Sequence, residues 1–132
     1  MLGFTPADDK TIADWRQITD YFAKLDKASN RVSVKEIGKT TNGKPLIVAF
    51  ISSSDNIKKL DKYRQINAKL ADPRTIKDAG ELENLIKNGR SIVSISCSIH
   101  STEIVASQMS MNLQYRNQHW KGRNSAPQII TH

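Results

Sequence analysis

The sequence predicts an α/β fold in which a mixed β-sheet is flanked by helices. Three observations lead to this prediction: apolar residues recurring at steps of three and four, short apolar segments rich in β-branched residues, and an Asn-Gly turn signal between two strand-like segments. In chain order the predicted elements are helix, hairpin, helix, helix, strand and helix. A chain of 132 residues is long enough for one domain with a single hydrophobic core.

The first predicted helix lies in the segment TIADWRQITDYFAKLDKA. Its apolar residues share one helical face, which is formed by Ile12, Trp15, Ile18, Phe22 and Leu25. Asp8 or Asp9 is expected to cap the start of this helix. We interpret the aromatic side chains on this face as core residues and not as a binding platform.

A β-hairpin is predicted next, with strands at residues 31–37 and 46–51 on either side of the Asn42-Gly43 turn. The second strand is apolar on both faces, so we expect it to lie inside a sheet that is covered on both sides. A single helix is then predicted within the segment 56–73, and it is expected to end before Asp72-Pro73. Its inner face is formed by Ile57, Leu60, Tyr63, Ile66 (or Asn67) and Leu70.

The remaining periodic segments predict a short helix, a third strand and a last helix. The short helix covers residues 78–89 and is ended by Gly89. The strand covers residues 91–96, with Ile92, Val93 and Ile95 expected in the interior. The last helix begins at Thr102, and the residues expected on its inner face are Ile104, Val105, Gln108, Met111 and Tyr115. We interpret Met109 and Met111 as packing residues and not as part of a cofactor site.

We treat residues 1–132 as one domain with three parts: an N-terminal helix region (1–30), a central part (31–116) and a tail (117–132). The tail is expected to be irregular because the helical stripe stops and Gly122 and Pro127 interrupt it. Three strands are few for a covered sheet, so the sequence predicts a truncated domain. An open sheet edge would then favour self-association.

Charge, hydropathy and cysteine content argue against a nucleic-acid-binding, a membrane-spanning and a disulfide-bonded protein. The chain has 20 Lys and Arg and 13 Asp and Glu, but its longest basic run is only Lys58-Lys59, so nucleic acid is not an expected partner. No segment approaches the roughly 20 apolar residues of a membrane span, and the start lacks the pattern of a signal peptide. The single cysteine, Cys97, allows no internal disulfide, and we interpret it as an inert buried thiol.

The segment SIHSTEIVASQM contains the residues with the clearest chemistry. His100 and Glu103 directly follow the third predicted strand, where ligands tend to collect in α/β proteins. Imidazole and carboxylate groups both bind zinc, but a catalytic zinc site normally takes three protein ligands, and the other histidines, His119 and His132, lie in the tail.

The motif also has a purely structural interpretation. Ser101 or Thr102 would cap the last helix, and Glu103 would sit near its positive N-terminus. The residues alone leave both interpretations open.

Two longer segments resemble the zinc carboxypeptidase family, the carboxypeptidase A-like metallopeptidases. SVKEIGKTTNGKPLIVAFIS is similar to the early hairpin of that family, and SIVSISCSIHSTEIVASQMSMNL is similar to its strand followed by G-x-H-[SA]-x-E and a helix. The intervening NIKKLDKYRQINAKLADP is similar to an insertion in a bacterial branch whose motif reads H-S-T-E. The resemblance covers about residues 4 to 116.

This resemblance implies that Zn²⁺ is the cofactor, that His100 and Glu103 are the first two zinc ligands, and that the C-terminus of a peptide or protein is the substrate. The other ligand, the substrate-binding arginines and the general-base glutamate of the family come far downstream, whereas this sequence ends at His132. The catalytic residues therefore stay unknown. We expect an incomplete zinc metallocarboxypeptidase with little or no activity as this chain.

The alternative is a non-catalytic remnant or binding module that keeps the fold and an inherited HxxE helix cap. The resemblance also suggests a periplasmic or secreted protein. The chain departs from the family pattern at Cys97 and Ser98, where the branch usually has glycine at one or both positions, so crowding is expected beside the metal. It departs again after Arg116, where the tail does not align with the next strand.

Overall fold

The computed structural model describes residues 3–6, 8–100, 102–119 and 128–131 of the chain. The elements in these ranges are α1 (Trp15–Ala28), β1 (Val32–Lys39), β2 (Pro45–Ile51), α2 (Ser54–Ile57), α3 (Leu60–Ala71), a 3₁₀ turn (Pro73–Thr75), α4 (Ala79–Asn88), β3 (Val93–Ser96), α5 (Ile104–His119) and β4 (Gln128–Thr131). Helices surround a mixed sheet, so the predicted α/β class is confirmed. No helix in the described ranges is long and apolar enough to cross a membrane.

The sheet has the strand order β1-β2-β4-β3. β1 pairs with β2 and β2 with β4 in antiparallel fashion, whereas β4 and β3 are parallel. Ile51, Gln128 and Val93 are neighbours across one end of the sheet, and Val48, Thr131 and Ser96 are neighbours further along. The carboxyl end of β2 and the carboxyl end of β3 therefore lie at opposite ends of the sheet.

The predicted irregular tail is wrong in two places. α5 continues to His119, and residues 128–131 form β4, which lies between β2 and β3. A four-residue strand is too short to show a clear periodic pattern, and β4 is defined by its pairing with strands on both sides. Residues 120–127 and 132, also assigned to the tail, lie outside the described residues.

The main core lies between one face of β2 and the helices α1 and α5. Phe22 of α1 is completely buried, as is Met111 of α5, and both belong to a cluster with Ile47 and Ala49 of β2. Four of the seven β2 residues are buried, so its predicted place inside the sheet is confirmed. Trp15 packs against this core and its indole N–H donates to the carbonyl of Pro45 at 3.1 Å.

The start of α1 differs from the prediction. Asp14 is the N-cap: its carboxylate accepts from the N–H of Gln17 at 2.8 Å, and the Gln17 side chain accepts from the N–H of Asp14 at 2.9 Å. This reciprocal capping box satisfies two backbone donors that would otherwise lack helical partners. Asp8 and Asp9 therefore precede the helix without capping it, and Ile12 is 59% exposed.

Three turns decide where the middle elements end. Gly43 has φ of +73°, which the tight turn between β1 and β2 requires, so the predicted Asn-Gly turn is confirmed. The single helix predicted within the segment 56–73 is two helices, α2 and α3, because the backbone leaves helical geometry at Lys59. Gly89 ends α4 as predicted, and its N–H donates to Leu85 O at 2.8 Å.

The expected inner residues of β3 and α5 are only partly correct. Ile92, which precedes β3, and Val93 are exposed, whereas Ile95 is half-buried. In α5, Gln108 and Met111 are buried as predicted. The inner-face prediction fails at Ile104 and Val105, which are exposed. Met109 is 46% exposed, so its interpretation as a packing residue is wrong. The side chain of Tyr115 lies outside the described residues.

Candidate metal centre

The turn between β3 and α5 brings His100 and Glu103 together. β3 ends at Ser96, and α5 begins at Ile104, so Glu103 immediately precedes the helix and does not lie in its first turn. The turn is closed by the N–H of Glu103, which donates to the carbonyl of His100 at 3.1 Å. The side chains of His100 and Glu103 therefore both belong to one short loop that follows the carboxyl end of β3.

The side chains of His100 and Glu103 bond directly to each other. Nδ1 of His100 lies 2.6 Å from Oε1 of Glu103, and the other carboxylate oxygen accepts from the backbone N–H of His100 at 3.3 Å. A carboxylate only accepts, so Nδ1 carries the proton in this contact, and Nε2 of the neutral ring keeps a free lone pair. One metal ion could take the place of that shared proton.

The carboxylate is held in the form that binds metals. The side chain of His100 is the main cause that lowers the pKa of Glu103, and the His100 backbone N–H lowers it further. Glu103 is therefore ionised at neutral pH. Both side chains are accessible, with 72% of the His100 side chain and 46% of the Glu103 side chain exposed.

The donor types fit zinc, but the described donors do not complete a site. In the described ranges of the chain, no group of three or more His, Cys, Asp or Glu residues lies together. A catalytic zinc ion normally takes three protein ligands. Because only His100 and Glu103 meet here, no catalytic step can be assigned to a metal held by these residues.

The histidines of the tail do not change this result. His119 is the last residue of α5, which has 16 residues, so the helix rise places its backbone about 24 Å from Glu103. That distance excludes His119 as a third ligand beside His100. His132 lies outside the described residues.

Cys97 does not contribute to the centre. Its side chain is 5% exposed and packs in a small second cluster with Ile51, Ile95 and Ala106. Burial raises the pKa of its thiol, so the thiol stays protonated at neutral pH. This environment agrees with the interpretation of Cys97 as an inert packing residue.

The structural role of Ser98 in this turn was not predicted from the sequence. Its φ of +64° lies in the left-handed region that favours glycine. Its hydroxyl donates to the carbonyl of Glu103 at 3.1 Å and lies 2.6 Å from the hydroxyl of Ser107 in α5. Ser98 thus links the end of β3 to the start of α5. One sequence feature could have indicated this role: the bacterial branch that the sequence resembles usually has glycine at one or both of the positions held by Cys97 and Ser98.

Comparison with known proteins gives a family match that includes this turn. The family model described as zinc carboxypeptidase matches residues 18–125, which include the β1–β2 hairpin, β3 and both residues of the candidate centre. The chain belongs to the zinc carboxypeptidase family. Searches among curated proteins and among solved structures gave no match. The α/β arrangement is consistent with part of a zinc carboxypeptidase fold, and the zinc dependence of this family makes zinc the inferred metal for this chain.

Proposed function

We propose that this chain is a zinc metallocarboxypeptidase polypeptide in which His100 and Glu103 supply two of the zinc ligands. The observation that supports this most is the zinc carboxypeptidase match, which spans an HxxE motif whose two side chains meet in one turn. The substrate class is the C-terminal residue of a peptide or protein, and the reaction is hydrolysis of its peptide bond.

The described residues support weak metal binding and little or no peptidase activity by this chain alone. When bound, zinc would supply a Lewis acid and an activated water. Glu103 offers an ionised carboxylate and His100 an imidazole, both open to solvent, but two ligands hold zinc less firmly than three. No general base is assigned among the described residues, and such a base commonly contributes 100-fold or more in rate.

Zinc titration by calorimetry tests the ligand assignment. We expect His100→Ala and Glu103→Ala each to weaken zinc affinity at least about tenfold, because each removes one of two direct ligands. Two matched controls, His119→Ala at the far end of α5 and Glu83→Ala on the exposed surface of α4, should leave affinity unchanged. Equal zinc affinity in the wild type and both His100 and Glu103 variants would show that the ligand assignment is wrong.

A peptidase assay tests the proposed low activity. The purified 132-residue chain, loaded with zinc, is incubated with a peptide, and release of the C-terminal amino acid is followed with and without a chelator. We expect no release above the chelated control. Rapid, zinc-dependent release would refute this part of the proposal and would require a complete site.

The second candidate function is a non-catalytic domain in which the HxxE motif serves the fold. The direct His100–Glu103 contact favours it, because the Glu103 carboxylate already has two partners within the turn before α5. In that case Glu103→Ala lowers stability without changing zinc affinity. Glu103→Gln, which can still accept the backbone N–H, should restore much of the lost stability.

Association through the sheet edges is a separate proposal. β1 and β3 are the outer strands of the described sheet, and Val93 on β3 is 46% exposed. An exposed apolar edge strand favours pairing with another chain. Sedimentation at increasing protein concentration should show a dimer, and Val93→Lys should reduce it.

A further inference from the structure

A cavity of about 310 Å³ lies between α3 and the carboxyl end of β2. Its walls are mainly apolar and include Phe50, Ile57, Leu60 and Ile92. This volume is at the lower end of the range for small-molecule pockets, and an apolar lining with a few polar groups is their usual composition. The cavity is therefore large enough for a small ligand with an apolar body.

The cavity is separate from the candidate metal centre. Ile51 and Ser52, which line it, lie at the carboxyl end of β2, and Ile51 is aligned across β4 with Val93 at the start of β3. His100 follows the opposite end of β3. A ligand in this cavity would consequently have a role independent of metal binding.

The polar side chains at the base of the cavity already have partners. The hydroxyl of Tyr63 donates to Oδ1 of Asn56 at 3.1 Å, and Nδ2 of Asn56 donates to the hydroxyl of Ser52 at 2.9 Å. These bonds fix the positions of α2 and α3 relative to β2. They also allow an apolar group to enter without leaving this chain of polar groups unpaired.

The rim of the cavity is positively charged. The Lys35 ammonium lies 5.9 Å from the centre of the Phe50 ring, and the Arg90 guanidinium lies 5.6 Å from that of Tyr63. Within the described part of the chain, neither cation forms an ion pair with a carboxylate. Aromatic rings orient these cations without neutralising their charge.

Arg64, a third cation at the cavity, does not change the net charge of the rim. Arg64 also lines the cavity, but it pairs with Asp61 at 3.6 Å, and both side chains are largely exposed. The charges at the rim therefore sum to a net positive value, carried by Lys35 and Arg90. An apolar interior beneath such a rim is complementary to a molecule with an apolar tail and one negative head group.

We propose that this cavity binds a small amphipathic anion, an aliphatic carboxylate of medium chain length. The alkyl chain lies against Phe50, Ile57 and Leu60, and the carboxylate faces Lys35 and Arg90. The proposal depends on the cavity and its charges and not on the zinc carboxypeptidase activity.

Calorimetric titration with three probes of equal chain length tests both parts of the proposal. Octanoate should bind more tightly than octan-1-ol, and octylammonium should bind least, because the rim is cationic. Hexanoate should bind roughly fifteenfold more weakly than octanoate, since it lacks two methylenes and each buried methylene contributes a factor of about four. Chemical-shift changes on octanoate addition should concentrate in α2, α3 and the end of β2.

Two variants and one control make the test specific. Arg90→Gln should weaken octanoate at least about fivefold and leave octan-1-ol unchanged, since it removes one exposed charge. Leu60→Trp should fill the cavity and weaken both ligands. Arg16→Gln, on the exposed surface of α1, should change neither.

Several results would overturn the proposal. These are no saturable binding of any probe, equal binding of octanoate and octylammonium, or octanoate binding that Arg90→Gln does not weaken. Chemical-shift changes confined to the exposed apolar residues of α5 and β3 would assign the ligand to another surface and equally refute it.

Discussion

Replacing Ser98 with glycine and with alanine should reveal the strain in the turn that carries His100 and Glu103. Ser98 has φ of +64°, a conformation in which an L-residue with a Cβ atom pays about 1–2 kcal/mol and glycine does not. Its hydroxyl also bonds to Glu103 O and to the hydroxyl of Ser107. The two replacements both delete the hydroxyl, but only glycine removes the strain.

The expected difference in stability between the two variants follows from the lost hydrogen bonds, the backbone strain and the entropy of the unfolded chain. Loss of the hydroxyl costs both variants the same, about 0.5–1.5 kcal/mol for each bond, towards the lower value because Ser98 is exposed. Glycine recovers the strain but loses about 0.4–1 kcal/mol through the greater freedom of its unfolded chain. Ser98→Gly should therefore be roughly 1 kcal/mol more stable than Ser98→Ala, and close to the wild type.

Urea unfolding followed by circular dichroism measures this difference as a change in midpoint at constant m-value. Ser94 is the matched control, since it is an exposed serine in the extended conformation of β3. There the order should reverse, with the alanine variant about 0.5–1 kcal/mol more stable than the glycine variant. If alanine is at least as stable as glycine at Ser98 while the Ser94 pair behaves as expected, the left-handed strain is absent and the reasoning is refuted.

Three further predictions concern the cap of α1, the link between α3 and α4, and the core. Asp14→Ala should lower the free energy of unfolding by about 1 kcal/mol in urea melts, whereas Asp9→Ala should have no effect. The Glu81 pKa is held below its ordinary value by Lys69, so the stability lost in Glu81→Gln should be largest near neutral pH. That loss should fade as acid protonates the wild-type carboxylate below about pH 4.5. Phe22→Ala should destabilise the chain by about 3–5 kcal/mol in thermal melts, because the ring is fully buried.

Each of these predictions has a control or a contradicting outcome. Equal losses in the two aspartate variants would mean that the capping box does not decide where α1 begins. A pH-independent loss in Glu81→Gln would exclude the ion pair with Lys69 as its cause. Phe22→Leu should cost much less than Phe22→Ala, and equal costs would argue against the packing of that site.

Local patterns in the sequence were sufficient for most elements and for the motif. The Asn42-Gly43 turn was predictable because a tight turn needs the positive φ that glycine favours. Gly89 ends α4 for a different reason, since its φ is −69° and a Cβ atom there would lie 2.9 Å from Leu85 O. Phe22 was predictable as core because it lies on a regular apolar stripe. His100 and Glu103 were recognisable by residue type, by their position after a strand and by the longer resemblance around them; their role as ligands stays a prediction.

Only the tertiary structure decided the features that depend on distant residues. The four residues of β4 form a strand because β2 and β3 supply pairing on both sides, which their own sequence does not show. The exposure of Val93 and the burial of Met111 depend on what packs across from each. The turn between β3 and α5 contains the left-handed Ser98 and the His100–Glu103 contact. Both depend on the tertiary structure, because the two elements that a turn joins set its backbone conformation.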